Sequence, residues 1–110
     1  WSYVRRFGSK RTPVLPNCDD GPSKSVWLEH GWRQRPVDGE ALYDLIFDPS
    51  ESRNVLAQYP EEAEYWRGLL EQWMRETNDP LLRGDVPPPP GARLNDPDGL
   101  SPREPVREYD

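Results

Sequence analysis

From Glu40 to Asp48 the chain reads Glu-Ala-Leu-Tyr-Asp-Leu-Ile-Phe-Asp, an apolar run that predicts a β-strand over 41–48. Strand alternation turns Tyr43, Leu45 and Phe47 to one face and Leu42 and Ile46 to the other, so both faces are apolar in the middle. A strand dry on both sides needs a cover on both sides. After an Asp48-Pro49 turn, Ala63, Trp66, Leu69, Leu70, Trp73 and Met74 recur at helical spacing and predict an amphipathic helix over 60–77. Pro60 suits its first turn, and Glu61 and Glu62 suit its positive dipole end. At roughly 1.5–3 kcal/mol per large side chain, burying that stripe contributes on the order of 10 kcal/mol before entropy. Arg67 and Glu71 lie four apart on another part of the helix surface. One helix covers one sheet face, so the other face calls for further mass.

A second strand is expected over residues 2–7, with Trp1, Tyr3, Arg5 and Phe7 on one face and Val4 and Arg6 on the other. Three Pro, one Gly and an Asp pair make 12–22 an irregular loop. Ser23 is placed to cap a short helix running to His30, with Gly31 as its left-handed stop. Beyond Asp79 the periodicity dissolves into Pro87–Pro90, Gly91, Asp96-Pro97, Gly99 and Pro102. The expected class is therefore α+β: a small antiparallel sheet packed against one long helix within residues 1–82, and an extended or disordered Pro-rich tail over 83–110.

At 110 residues the chain has room for one core, and 34% hydrophobic residues with 14 Pro imply that part of it is not packed. It opens on Trp1 inside a strand-like run, which is expected of a piece of a larger protein. The net charge of −6 argues against general nucleic-acid binding. It divides unevenly: Arg5, Arg6, Lys10 and Arg11 put +4 in the first eleven residues, leaving −10 on the other 99. Such a basic patch can meet an anion despite the acidic total. The single Cys18 excludes an internal disulfide and a multi-cysteine zinc site. No apolar run approaches the ~20 residues that span a bilayer.

Leu42-Tyr43-Asp44-Leu45, then Asp48-Pro49-x-Glu51-x-x-Asn54, then Leu56-Ala57, resembles the C-terminal signature of sulfatases. Trp73-x-x-Glu76-Thr77-x-Asp79-Pro80 is similar to the N-sulfoglucosamine sulfohydrolase (sulfamidase) branch, and Tyr3-Val4-Arg5-Arg6 resembles the strand opening that region. Val55 is a departure, because the family usually runs Asn-Leu-Ala directly. The resemblance implies a large catalytic domain of the alkaline-phosphatase type elsewhere in the same polypeptide. That domain would hold calcium and a formylglycine made from Cys or Ser in a Cys-x-Pro-Ser-x-Arg motif. It also implies that this region closes against the catalytic domain and helps line a cleft for sulfated glycans. The function expected is thus the non-catalytic C-terminal part of a sulfuric ester or N-sulfate hydrolase, inactive alone. Relatives are periplasmic, secreted or lysosomal, and a cytoplasmic location is conceivable. The alternative is a stand-alone anion- or protein-binding module using the basic strand or the proline segment.

No residue of this chain presents catalytic chemistry in a recognisable context. Cys18 is followed by Asp19-Asp20-Gly21-Pro22, so the Pro that a formylglycine precursor needs two positions on is absent. Asp19-Asp20 lacks the alternating spacing of a calcium loop and reads as a solvated turn. His30, the only histidine, has no nucleophile motif around it and reads as a helix-end residue. Trp66 and Trp73 belong to the helix stripe, whereas Trp27 and Trp32 flank His30 and are candidates for a glycan-facing surface. Arginine binds sulfate through charge-assisted, often bidentate hydrogen bonds. The candidate substrate-binding residues are accordingly Arg5, Arg6, Arg11 and Trp32. For Arg5, on the aromatic face, the rival role is an ion pair with an acid of the helix or of the absent domain. Pro87–Pro90 reads as a rigid spacer, since Arg93 falls three positions after Pro90 rather than two.

Overall fold

A computed structural model describes residues 1–110. The fold class is α+β, with two α-helices and two antiparallel two-stranded sheets. In chain order the elements are β1 (Ser2–Arg5), α1 (Pro22–Glu29), β2 (Glu40–Tyr43), α2 (Pro60–Glu76), β3 (Arg93–Asn95) and β4 (Val106–Glu108). They fall into two compact units, one built from Trp1–Ser9 and Asp38–Val86, the other from Lys10–Val37 and Pro87–Asp110.

In the first unit β1 pairs with β2 in the register Ser2↔Tyr43, Tyr3↔Leu42, Val4↔Ala41 and Arg5↔Glu40. Its buried core is Ala41, Leu42, Ala63 and Met74. Helix α2 begins at Pro60 with Glu61 and Glu62 in its first turn, as dipole and N–H considerations require. It ends in a Schellman turn: the Asp79 N–H donates to the Met74 carbonyl (2.8 Å) and the Asn78 N–H to that of Arg75 (3.1 Å). Asn78 takes the left-handed position at φ 53°, a role Asn fills more readily than other non-glycine residues. Asp79 then accepts the Leu81 N–H (2.9 Å) and starts the next turn at Pro80.

The second strand is shorter than its hydropathy predicts, ending at Tyr43 rather than residue 48. Its ladder with β1 ends at the pair Ser2↔Tyr43. The Asp44 carboxylate accepts the Ile46 N–H (3.0 Å) while the Asp44 carbonyl accepts the Asp48 N–H (2.8 Å), a local turn that competes with a ladder. Leu45, Ile46 and Phe47 therefore do not alternate across a sheet. The face of α2 is also rotated from the expected stripe. Ala63 and Met74 are buried, Leu70, Arg67 and Glu71 are half-buried, and Leu69 and Trp73 are exposed. Arg67 and Glu71 thus belong to the sheet side of the helix, because both find charged partners on the strands.

In the second unit Leu15 and Pro16 are buried, and so is Lys24, whose ammonium donates to the Cys18 carbonyl (2.9 Å) and to Asp20 (3.0 Å). Helix α1 starts at Pro22, one residue before the expected Ser23 cap, and is followed by Gly31 at φ 83°. Residues 83–110, expected to run as an extended tail, contain the hairpin β3–β4 with Leu94↔Arg107 at its centre. The connection is closed by Glu104, which accepts the Leu100 and Ser101 N–H groups (3.0 and 3.3 Å), and by an ion pair of Arg107 with Asp96. Strands of three residues held by such loop bonds leave no periodicity to read.

Candidate functional site

The residues that carry the sulfatase resemblance all lie in the first unit, and Asp44, Asp48 and Asn54 turn their polar groups inward on the segment after β2. Asn54 uses its whole carboxamide: Oδ1 accepts the N–H of Leu42 (3.0 Å) and of Leu56 (3.1 Å), and Nδ2 donates to the Asp38 carboxylate (2.9 Å) and the Glu40 carbonyl (3.0 Å). The Val55 N–H donates to the Leu42 carbonyl (2.9 Å), so the residue that departs from the family pattern has a place in the same clasp. Together Asn54 and Val55 satisfy the free edge of β2 as a third strand would. Asp48 accepts the N–H of Ser52 (3.0 Å) and Arg53 (2.9 Å) and the Ser52 hydroxyl (2.8 Å), and these bonds hold its carboxyl below the usual aspartate range. Glu51, at φ 52°, makes the left-handed step that this loop requires.

What the clasp displays is apolar. Ile46 and Phe47 are 85% and 86% exposed, and Leu45 is 40% exposed. Three consecutive large apolar side chains, fixed by an Asp44 turn on one side and an Asp48 turn on the other, form a protrusion with no cover of its own.

Arg5 does not point to open solvent. Its guanidinium bonds Glu71 on α2 (2.7 Å) and lies over the Phe7 ring at 4.7 Å. Across the ladder from Arg5, Glu40 forms a bidentate pair with Arg67 of α2 (3.0 and 2.5 Å). Four alternating charges, two on the strands and two one helical turn apart, thus join the hairpin to α2. The Arg67 hydrogen bonds hold the Glu40 carboxyl below its ordinary range and raise the Arg67 guanidinium. The Tyr3 hydroxyl is buried beside this pair without a hydrogen bond, and burial, followed by the Glu40 charge, raises its pKa. Arg6 is exposed and donates to the Asp38 carbonyl (2.9 Å).

The other two candidates lie in the second unit. Arg11 is exposed and donates to the Lys10 carbonyl (3.0 Å). Trp32 is half-buried and lines a shallow depression of about 380 Å³ with Trp27, His30, Gly31, Gln34 and Arg35. Sequence reasoning gave Arg35 no role, because the polar run Arg33-Gln34-Arg35 carries no motif. Its position is set by the Gly31 turn, the one local signal that pointed there. No three His, Cys, Asp or Glu side chains come together as a cation site. Cys18 is a half-buried free thiol, without the surroundings of a modified nucleophile.

Comparison with protein-family models, curated proteins and solved structures finds no match to this chain.

Proposed function

We propose that this chain is the C-terminal subdomain of a sulfatase, close to the sulfamidase branch, that completes the fold of a catalytic domain and shapes one wall of its substrate cleft. The complete enzyme would hydrolyse a sulfate ester or an N-sulfate on a glycan, with formylglycine and calcium supplied by that domain. The observation that carries the reading is the division of labour in the signature block. Its polar residues Asp44, Asp48 and Asn54 are occupied in shaping a loop, and the apolar residues between them are held outward. A motif built this way serves packing against a second body rather than chemistry of its own. The catalytic domain of the same polypeptide is the occupant the reading assigns to Leu45, Ile46 and Phe47.

The gene tests this directly. A continuous upstream reading frame carrying Cys/Ser-x-Pro-Ser/Ala-x-Arg supports the assignment, and a start codon immediately before Trp1 overturns it. Purified chain assayed alone with an aryl sulfate is expected to show no turnover. Metal-dependent hydrolysis by the pure 110-residue chain would contradict the placement of the catalytic groups.

A further inference from the structure

The depression on the second unit combines features that Leu45–Phe47 lack. Trp27 is 57% exposed, and with half-buried Trp32 it offers flat apolar surface at the rim of the hollow. Neither indole N–H meets an acceptor, unlike that of Trp66, which bonds Glu62. His30 sits at the end of α1 with Nδ1 2.7 Å from the Val26 carbonyl. A carbonyl can only accept, so Nδ1 carries the proton, and in the neutral ring Nε2 is left as an acceptor. Gln34 adds an amide able to donate and accept. Arg35 is exposed, and its guanidinium has neither a carboxylate nor a carbonyl partner. In the same unit Lys10 is paired with Asp98, Lys24 with Asp20 and Arg107 with Asp96, Arg33 donates to the Asp98 carbonyl, and Arg93 and Arg103, which make no such bond, do not line the hollow. No carboxylate lines the hollow.

We infer that Trp27, His30, Trp32, Gln34 and Arg35 form a binding site for an anionic saccharide. The indoles would receive the apolar face of a sugar ring, His30 Nε2 and Gln34 its hydroxyl groups, and Arg35 its charged substituent. Flat apolar surface alone would suit many partners. A single uncompensated guanidinium in a hollow without acids selects for negative charge, and dispersed single donors and acceptors suit hydroxyls. The preference for a sulfated over a carboxylated sugar rests on the sulfatase reading, whereas the site itself rests on these five residues.

The test uses the full chain labelled with ¹⁵N, whose five tryptophan indole N–H signals can be assigned by single Trp→Phe variants. The same spectrum reports whether the chain is folded. Probes are N-sulfoglucosamine, glucuronic acid and neutral cellobiose. The expected result is that both acids shift the Trp27 and Trp32 signals, that Trp66 stays in place, and that cellobiose binds at least about tenfold more weakly. Arg35→Ala, at an exposed position, should weaken the anionic probes by about tenfold or more, as losing a hydrogen bond to a charged group does. Sulfate outcompeting carboxylate would add support to the sulfatase reading. Equal binding of the two acids would leave the site intact while removing that support. Absence of indole shifts in a well-dispersed spectrum, equal binding of cellobiose, or indifference to Arg35→Ala would each overturn the site.

Discussion

Asn54 shows how much a single side chain decides in so small a core. Four hydrogen bonds converge on one carboxamide, and two of its partners, the Leu42 N–H and the Glu40 carbonyl, belong to the edge of β2. Asn54→Ala leaves these groups without partners, at a cost of about 2–3 kcal/mol in unfolding free energy, measurable by urea denaturation. Asn54→Asp keeps both accepting contacts but sets a carboxylate against Asp38 and the Glu40 carbonyl, so its penalty should shrink as the pH is lowered through the carboxylate range. Nothing in residue type alone distinguishes Asn54 from an ordinary loop asparagine. Its four contacts became visible only with the fold. Arg5 is the opposite case: strand alternation put it on the aromatic face, and an acid of the helix, Glu71, is what it meets there.

At the level of elements, helix positions read well and strand ends read poorly. Helix α2 was visible because seventeen residues give several repeats of one period and both ends carry stop signals. The end of β2 was not, because continuous hydropathy across Tyr43–Phe47 cannot report that Asp44 bonds its own backbone. The rotated face of α2 has a related cause, since polar residues that pair across an interface score as surface in any hydropathy pattern. The Glu40–Arg67 pair links this interface to pH. Glu40 is held below its ordinary value of 4.5, so its contribution is fully present above about that pH and is lost as the pH falls through the lowered folded value. Glu40→Gln should therefore flatten the stability profile on the acid side while lowering stability at neutral pH. Thermal melts of both proteins between pH 7 and pH 3 measure this, and identical slopes would show that the pair contributes no linkage.

For the molecule as a whole, the exposed Ile46 and Phe47 separate folding from association. Both are more than four-fifths exposed, so Ile46→Asp with Phe47→Asp should change the stability of the chain by less than about 1 kcal/mol. The same pair of substitutions is expected to abolish co-purification with the catalytic domain proposed here, read by tagging that domain. Retained co-purification would remove the role assigned to the protrusion. The division of the chain into two units was invisible in sequence, because Lys10–Val37 and Pro87–Asp110 share no motif or period.

That division has a consequence for synthesis. Each unit is sewn from two stretches of chain, and the second is closed only by its final residues, where Gly91 donates to the Tyr109 carbonyl (2.7 Å) and Tyr109 to that of Ala92 (3.0 Å). A ribosome delivers every residue of the first unit before Pro87, while the second must wait, half made, for Pro87–Asp110. A stop codon after Val86 should spare the circular-dichroism signal of α2 yet strip Asp20 of its Ser101 hydroxyl partner (2.5 Å) and expose the region around Leu15 to protease. What reads as an extended or disordered proline-rich tail is the later half of a folding unit.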